Sequence, residues 1–303
     1  MDLIIGTLQQ GVLFGLLAIG IYISFKVLNI PDLTAEGSFT FGLVVSAMVS
    51  ISGHPVLGVI AGSAAGFAAG IITGLLQTKC GIHPVLAGIL TMSALYSTNT
   101  WVLGEKPSVT LIGYRTIFSI VSDIFSCDDS TAKIIVIAVL TALVCAVFIF
   151  FFRTRLGLSI RAAGNNETMV RASSINVDAV KIFAIAVSNC CIGLCGAVYA
   201  QYQRFADINS GAGMLVVGLA SVIIGEVLNI RKGLTSGLIL VIAGSVVYRA
   251  IIAVATYYDV FPAYMLKFVA AVIVAAALTV PAVKSALSLK KAKMVNKGGA
   301  GNA

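Results

Sequence analysis

An all-α, polytopic membrane protein is the fold this sequence predicts, and three observations carry the prediction. Of 303 residues, 59% are hydrophobic and 11% charged, with a mean hydropathy of +1.03; a soluble chain is roughly 45–50% apolar and about 25% charged. The apolar residues fall in runs of about twenty, the length a helix needs to cross a hydrocarbon core. Those runs carry internal glycine and lack the alternating segments of about ten residues that mark a membrane β-barrel. About nine transmembrane helices result, some of them short or broken, with the N-terminus outside and the C-terminus cytoplasmic.

The first span covers Leu3–Phe25 and ends near Lys26. It is too long for a secretory signal, and no cleavage site follows it. A polar segment with Pro31, Asp32, Glu36 and Gly37 comes next, then Phe39–Ile51, which is too short to cross alone. The two are expected to form a broken or re-entrant element. Irregular backbone at membrane depth survives only inside protein or beside a watery cavity, which makes this region a candidate pathway lining.

Pro55–Leu76 is the third span. Gly58, Gly62, Gly66, Gly70 and Gly74 recur at every fourth residue and place a glycine groove along one helix face. Helices in lipid associate through close van der Waals approach, so the stripe reads as helix packing, with a pore-lining face as the alternative. The fourth span, Val85–Leu103, carries a polar band that includes Thr91, Ser93, Ser97, Thr98, Asn99 and Thr100. Such a band should face protein or a cavity rather than lipid. His54 and His83 each precede a proline at a helix start and read as loop punctuation.

An acidic-leaning loop, Gly104–Thr131, leads to the fifth span, Ala132–Phe152. The one long polar stretch of the chain follows, residues 153–179, with Arg153, Arg155, Arg161 and Arg171. The sixth span is Val180–Ala200 with Ser188 and Asn189, then a polar loop at Gln201–Gly213. Met214–Leu228, another short run, holds Ser221 and Glu226 and ends at Arg231-Lys232. Leu234–Thr256 carries Tyr248 and Arg249 in its outer part, and Tyr264–Val283 is the ninth span. The membrane domain is thus 1–283, and 284–303 is a basic tail expected to be disordered. Asp32, Glu36 and Glu226 are the carboxylates near span interiors, all expected toward the cytoplasmic side.

Charge placement tests this arrangement. The predicted inner side receives Lys26, Lys79, Arg153, Arg155, Arg161, Arg171, Lys181, Arg231, Lys232, Lys284, Lys290, Lys291, Lys293 and Lys297. Only Lys106, Arg115, Lys133, Arg204, Arg249 and Lys267 fall in outer loops or near outer span ends. Fourteen against six obeys the positive-inside rule, so the net charge of +8 needs no nucleic-acid partner. Residues 153–179 are then cytoplasmic. Cys145, Cys190, Cys191 and Cys195 lie within apolar runs and read as small packing residues. No metal site and no catalytic residue is expected.

Three transport classes compete. A channel would carry a filter motif, and none stands out. An ion-coupled secondary transporter would use intramembrane carboxylates. The membrane subunit of an ATP-driven transporter needs instead a structured cytoplasmic surface, and 153–179 is the sizeable candidate. The chain lacks the Gly-x-x-x-x-Gly-Lys-Ser/Thr phosphate loop, so ATP would be bound by a separate protein.

The residues Thr154, Gly157, Arg161, Ala162, Gly164 and Asn166, followed by Ala172 and Ile175, resemble the cytoplasmic coupling loop of ABC importer permeases of the branched-chain amino acid and ribose type. Ser174 stands where that family often has glycine. The Pro31–Phe39 segment resembles the same family, and the likeness spans nearly the whole chain. It is nearest to the branch paired with binding proteins for aromatic amino acids, tryptophan or tyrosine. Branched-chain amino acids, sugars and nucleosides are the alternative solutes.

The resemblance implies an inner-membrane permease dimer, a cytoplasmic ATPase dimer that holds ATP and magnesium, and an extracytoplasmic solute-binding protein. It implies no cofactor in this chain. Arg161, Ala162, Gly164, Asn165, Asn166, Glu167 and Arg171 would contact the ATPase. Physically, two short helices joined near Gly164-Asn165-Asn166 would form a knob. Gly164 would supply a positive φ, Asn165 or Asn166 a helix cap, and Arg161 and Arg171 charges for the partner's acids or for lipid head groups. Candidate lining groups are Ser97, Thr98, Asn99, Ser188, Asn189 and Ser221, with helix-to-helix hydrogen bonding as the alternative for each.

Overall fold

The computed structural model of the protein describes residues 2–229 and 233–257, and residues 268, 272 and 279 beyond them. The ninth predicted span and the basic tail therefore lie outside the described residues, apart from those three positions. Among the described residues, six stretches are long and apolar enough to cross a membrane: Leu3–Val27, Pro55–Thr78, Asp129–Phe151, Val177–Gln203, Ile208–Leu228 and Leu234–Tyr257.

The first helix, α1 (Asp2–Ile21), continues through a π-helical turn at Tyr22–Val27, two residues past its expected end. Irregular backbone follows until α2 (Ala35–Ile51) begins. Asp32 holds this break together. Its Oδ1 accepts from the Thr34 N–H at 2.9 Å, and its Oδ2 accepts from Asn189 Nδ2 at 2.6 Å. A Thr34–Thr73 hydroxyl pair at 2.8 Å ties the break to the next helix. The broken element expected from the sequence is therefore clamped between two spans.

Prolines at the first helical positions start α3 (Pro55–Thr78) and α4 (Pro84–Val102), where a missing N–H costs nothing. Helix α6 (Asp129–Phe151) leads to two short helices, α7 (Arg155–Asn165) and α8 (Glu167–Ala172). The long α9 (Val177–Gln203) then crosses the centre, and α10 (Met214–Leu228) and α11 (Leu234–Tyr257) close the described bundle.

Both long polar loops hold more structure than expected. Residues 104–131 form β1 (Ser108–Thr110) and α5 (Ile117–Phe125), whose Thr116 and Ser119 make a reciprocal capping box. Across from it, β2 (Phe205–Asp207) pairs antiparallel with β1, Val109 opposite Ala206. A 3₁₀ turn, Ile208–Gly211, then carries the chain back toward α2. Gly211 packs directly on the Glu36 carbonyl, so this segment re-enters the bundle. These features escaped the sequence because short strands and single turns leave no periodicity.

The centre of the bundle is α2, α3 and α9. The glycine stripe of α3 lies against the other two: Gly58 on Ser46 and Ser50, Gly62 on Gly42 and Ala197, Gly66 on Asn189, Gly70 on Ala186, and Gly74 on Ile182. A Cβ on Gly70 would stand 2.6 Å from Ala186 Cα, closer than any carbon contact allows. Gly42, Gly193 and Gly196 contribute the same close approach from the facing helices. Backbone is packed on backbone here, which is how helices gain dispersion energy where lipid is as apolar as leucine.

Replacing Gly70 by Val should therefore cost about 1–3 kcal/mol from overpacking. Gly6→Ala, at a helical position with nothing within 4 Å of a new Cβ, should be neutral or slightly stabilising. Thermal unfolding of the two variants in detergent should separate them clearly.

Candidate functional site: a helical knob and a mid-bundle cavity

The polar stretch folds into the knob. Thr154 caps α7, accepting from the Gly157 N–H at 3.3 Å. Asn166 ends α7 and caps α8, its Oδ1 accepting from the Met169 N–H at 3.1 Å and from the Thr168 hydroxyl at 2.7 Å. Asn176 caps α9 in the same way. Of the two candidate asparagines, Asn166 is the joint, while Asn165 is the exposed last residue of α7.

Gly164 plays a different part from the one expected. It is helical, has no positive φ, and lies on the backbone of Val27 and Leu28, where any Cβ would collide with the Val27 carbonyl. The glycine is needed for close approach of the knob to the end of α1. The residue of this stretch that does take a left-handed conformation is Ser174, at φ +59°, the position where the coupling loop it resembles often has glycine.

Arg171 has partners within the chain. Its guanidinium is used inside the chain, bonding Glu167 Oε1 and Asp178 Oδ1, each at 3.0 Å. Lys181 Nζ reaches the other Glu167 oxygen at 2.6 Å. Glu167 thus staples α8 to α9. Arg161 and Ala162 remain exposed on the outer face of α7. At the same end of the bundle, Lys26 pairs with Glu226 at 2.8 Å.

The second feature is a cavity of about 380 Å³ between α2, α4 and the re-entrant turn. Glu36, Gly37, Thr40, Met92, Ser93, Tyr96, Asn99, Ile208, Asn209, Gly211 and Ala212 line it. Gly37 packs on Met92 and Leu95, at the middle of α4, and Phe39 packs on Gly196 in α9. Glu36 is accordingly at mid-depth in the bundle. Asp32, bonded to Asn189 near the midpoint of α9, is also central. Neither lies toward one end as expected, because the irregular break returns the chain to mid-bundle before α2 starts.

Helix α4 is not among the six apolar stretches. Ser93, Tyr96 and Ser97 are exposed at one face, and the half-buried Thr100 continues it at helical spacing. A polar face left open on a helix packed against spans should border water or protein rather than hydrocarbon.

The structure distributes the candidate lining residues unevenly. Asn99 is 2% exposed and borders the cavity. Ser97 is open on the α4 face, and Thr98 bonds the Ala94 carbonyl of its own helix. Ser188 donates to the Gly20 carbonyl, Ser221 to that of Val217, and Asn189 to Asp32 and the Ile185 carbonyl. Those three work inside the packed bundle, away from the cavity. The Arg249 guanidinium stacks over Phe14 at 4.3 Å, and Tyr248 is buried beside it. Glu36 belongs to the segment that the sequence marks as candidate pathway lining, whereas Tyr96 and Asn209 were missing from the candidates. The 93-96-97-100 spacing could have shown Tyr96, but nothing local links Glu36 to Asn209.

The family described as branched-chain amino acid transport system permease component matches residues 3–279. This chain belongs to that family. It is 31% identical to the tyrosine transport system permease protein of Clostridioides difficile, over 97% of this chain and 96% of the relative. It is 26% identical to the ribose import permease protein of Haemophilus influenzae, over 74% of this chain and 68% of the relative. An uncharacterized Rickettsia prowazekii protein is 28% identical over 75% and 78%. No solved structure matches the chain. The protein is therefore an ABC-type, multi-pass membrane permease of the branched-chain amino acid and ribose type.

The knob carries two predictions. Hydrogen bonds from Lys181 and then Arg171 hold the Glu167 carboxyl below its usual range. A carboxyl lowered in the folded state stabilises at pH above its unfolded value of 4.5 and loses that contribution as pH falls through the folded value. Hydrogen exchange in α8 should thus rise below about pH 4.5, and Glu167→Gln should raise it already at pH 7. Ser174→Gly should stabilise by up to about 1 kcal/mol, the left-handed cost less glycine's extra unfolded-state entropy, read by thermal unfolding.

Proposed function

We propose that this protein is the membrane-spanning subunit of an ATP-driven importer for an amino acid, with aromatic amino acids favoured. In this reading two copies form the translocation pathway, and an extracytoplasmic binding protein delivers the solute. A cytoplasmic ATPase dimer, which holds ATP and magnesium, docks on α7 and α8. The cytoplasm is then on the side of the knob, as the charge asymmetry of the sequence favours, and the protein resides in the inner membrane.

One observation carries the proposal: the contact of Gly164 with the backbone of Val27 and Leu28. A surface knob that merely solvated a loop would have no need to touch a span. This one bears on the exact point where α1 gives way to the irregular break. A push on Arg161 and its exposed neighbours would reach the break, and through the break Glu36 and the cavity. The aromatic preference is supported by the name of the Clostridioides difficile relative. Ribose-importing relatives keep sugars as the alternative solutes.

An ion-coupled mechanism is less well supported. Among the described residues, Asp32 is the fully buried carboxylate, and both its oxygens are committed to Thr34 and Asn189. Such a group serves the fold more readily than it serves a travelling ion.

Reconstitution with the ATPase and binding protein tests the proposal. Solute-stimulated hydrolysis should vanish in Gly164→Val, while the variant still assembles in the membrane. Undiminished stimulation would refute the coupling role. Uptake should continue when a protonophore collapses the proton gradient, provided that ATP is maintained. Competition by tyrosine, tryptophan, leucine and ribose would identify the solute class.

A further inference from the structure

We propose that Glu36, Asn99 and Thr40 form a subsite for the primary ammonium group of the solute, with Tyr96 beside it for the solute's apolar body. The inference rests on reading the chain as an amino-acid permease and adds the recognition chemistry. All four residues line the cavity between α2, α4 and the re-entrant turn.

Three residues of this cavity, Glu36, Thr40 and Asn99, offer acceptors, beside Ser93, Tyr96 and Asn209, whose groups can both donate and accept. Glu36 Oε1 accepts from the Gly213 N–H at 2.9 Å, which accounts for one carboxylate oxygen as a cap on α10. Its second oxygen has no partner, and no cation pairs with Glu36 among the described residues. The Thr40 hydroxyl gives its proton to the Glu36 carbonyl at 3.0 Å and so has only lone pairs left to offer. Asn99 is 98% buried by its 2% exposure, and its Oδ1 has no hydrogen-bond partner. A buried acceptor without a donor costs roughly 1–3 kcal/mol, a cost that persists where a ligand completes the site.

An ammonium group brings three donors and no acceptor, so it matches what these three residues lack. Among the described residues, no Lys, Arg or His lines the cavity to compete for them. A solute carboxylate would meet repulsion from Glu36 instead, and must point elsewhere. Tyr96, Met92 and Ile208 offer an aromatic and two aliphatic surfaces to the rest of the molecule. The volume, about 380 Å³, falls within the roughly 300–1,000 Å³ usual for small-molecule pockets.

The test uses the full-length permease in lipid nanodiscs, without ATPase or binding protein. Thermal protection is measured with tyramine, L-tyrosine, 3-(4-hydroxyphenyl)propanoate, ribose and sodium chloride. Tyramine and L-tyrosine should protect, whereas the propanoate, which lacks the amine, should not. Glu36→Gln keeps an oxygen for the Gly213 N–H but loses the charge. It should weaken tyramine binding about tenfold or more, the factor expected when a hydrogen bond to a charged group is lost. Asn99→Leu should weaken it in the same direction.

Equal protection by the propanoate, tyramine binding indifferent to Glu36→Gln, protection by sodium alone, or no protection by any amine would each overturn the subsite. The comparison of tyramine with the propanoate is made on the unaltered protein, so it stands even where a variant folds poorly. Tyramine protection without ATPase coupling would refute the proposed function and leave the subsite intact. Coupled uptake without tyramine protection would do the reverse.

Discussion

Contact between the backbones of α2, α3 and α9, made possible by glycine, is the constraint on which the other features depend. Lipid gives helices no hydrophobic reason to associate, so stability must come from dispersion at short range and from hydrogen bonds inside the bundle. Gly62, Gly66 and Gly70 bring α3 within reach of α9, and Gly42 and Gly193 bring α2 against the same region. Only at that spacing can Thr73 meet Thr34, and Asn189 meet Asp32. The irregular break between α1 and α2 would otherwise leave polar backbone and a carboxylate without partners in an apolar interior.

With the break held in place, the knob and the cavity become two ends of one short path. The knob touches Val27 through Gly164. Asp32 sits a few residues on, fastened to α9, and Glu36 opens α2 at the wall of the cavity. The opposite wall is the re-entrant turn, whose Gly211 packs on Glu36 and whose Gly213 bonds its carboxylate. The charges of the knob itself are largely internal, since Arg171, Glu167, Asp178 and Lys181 bind α8 to α9. What remains outward is the exposed face of α7 around Arg161.

Much of this was legible in the chain. Helix positions follow from apolar runs, the glycine stripe from its four-residue period, and the knob from its polar composition and its Thr, Asn and Gly signals. Capping residues are local, so Asn166 could be anticipated. Gly164 could not, because a glycine tolerated for a turn and a glycine required for contact look alike in sequence. Arg171 looked outward for a related reason: Glu167 is its helical neighbour, but Asp178 reaches Arg171, and Lys181 reaches Glu167, only once α8 folds back on α9. Ser188 and Ser221 resembled pathway residues because a hydroxyl in a span reads identically whether it faces a cavity or a neighbouring carbonyl.

By itself, then, the sequence determined the class: a helical membrane permease, the order of its main spans, the glycine seam and the two-helix polar projection. Composition, periodicity and capping act over neighbouring residues, and these properties depend on nothing else. Tertiary structure decided the depth of Asp32 and Glu36, the return of Ile208–Gly211 into the bundle, and the cavity that Glu36 shares with Asn99. Those residues are far apart along the chain, and irregular backbone, which carries no period, is what brings them together.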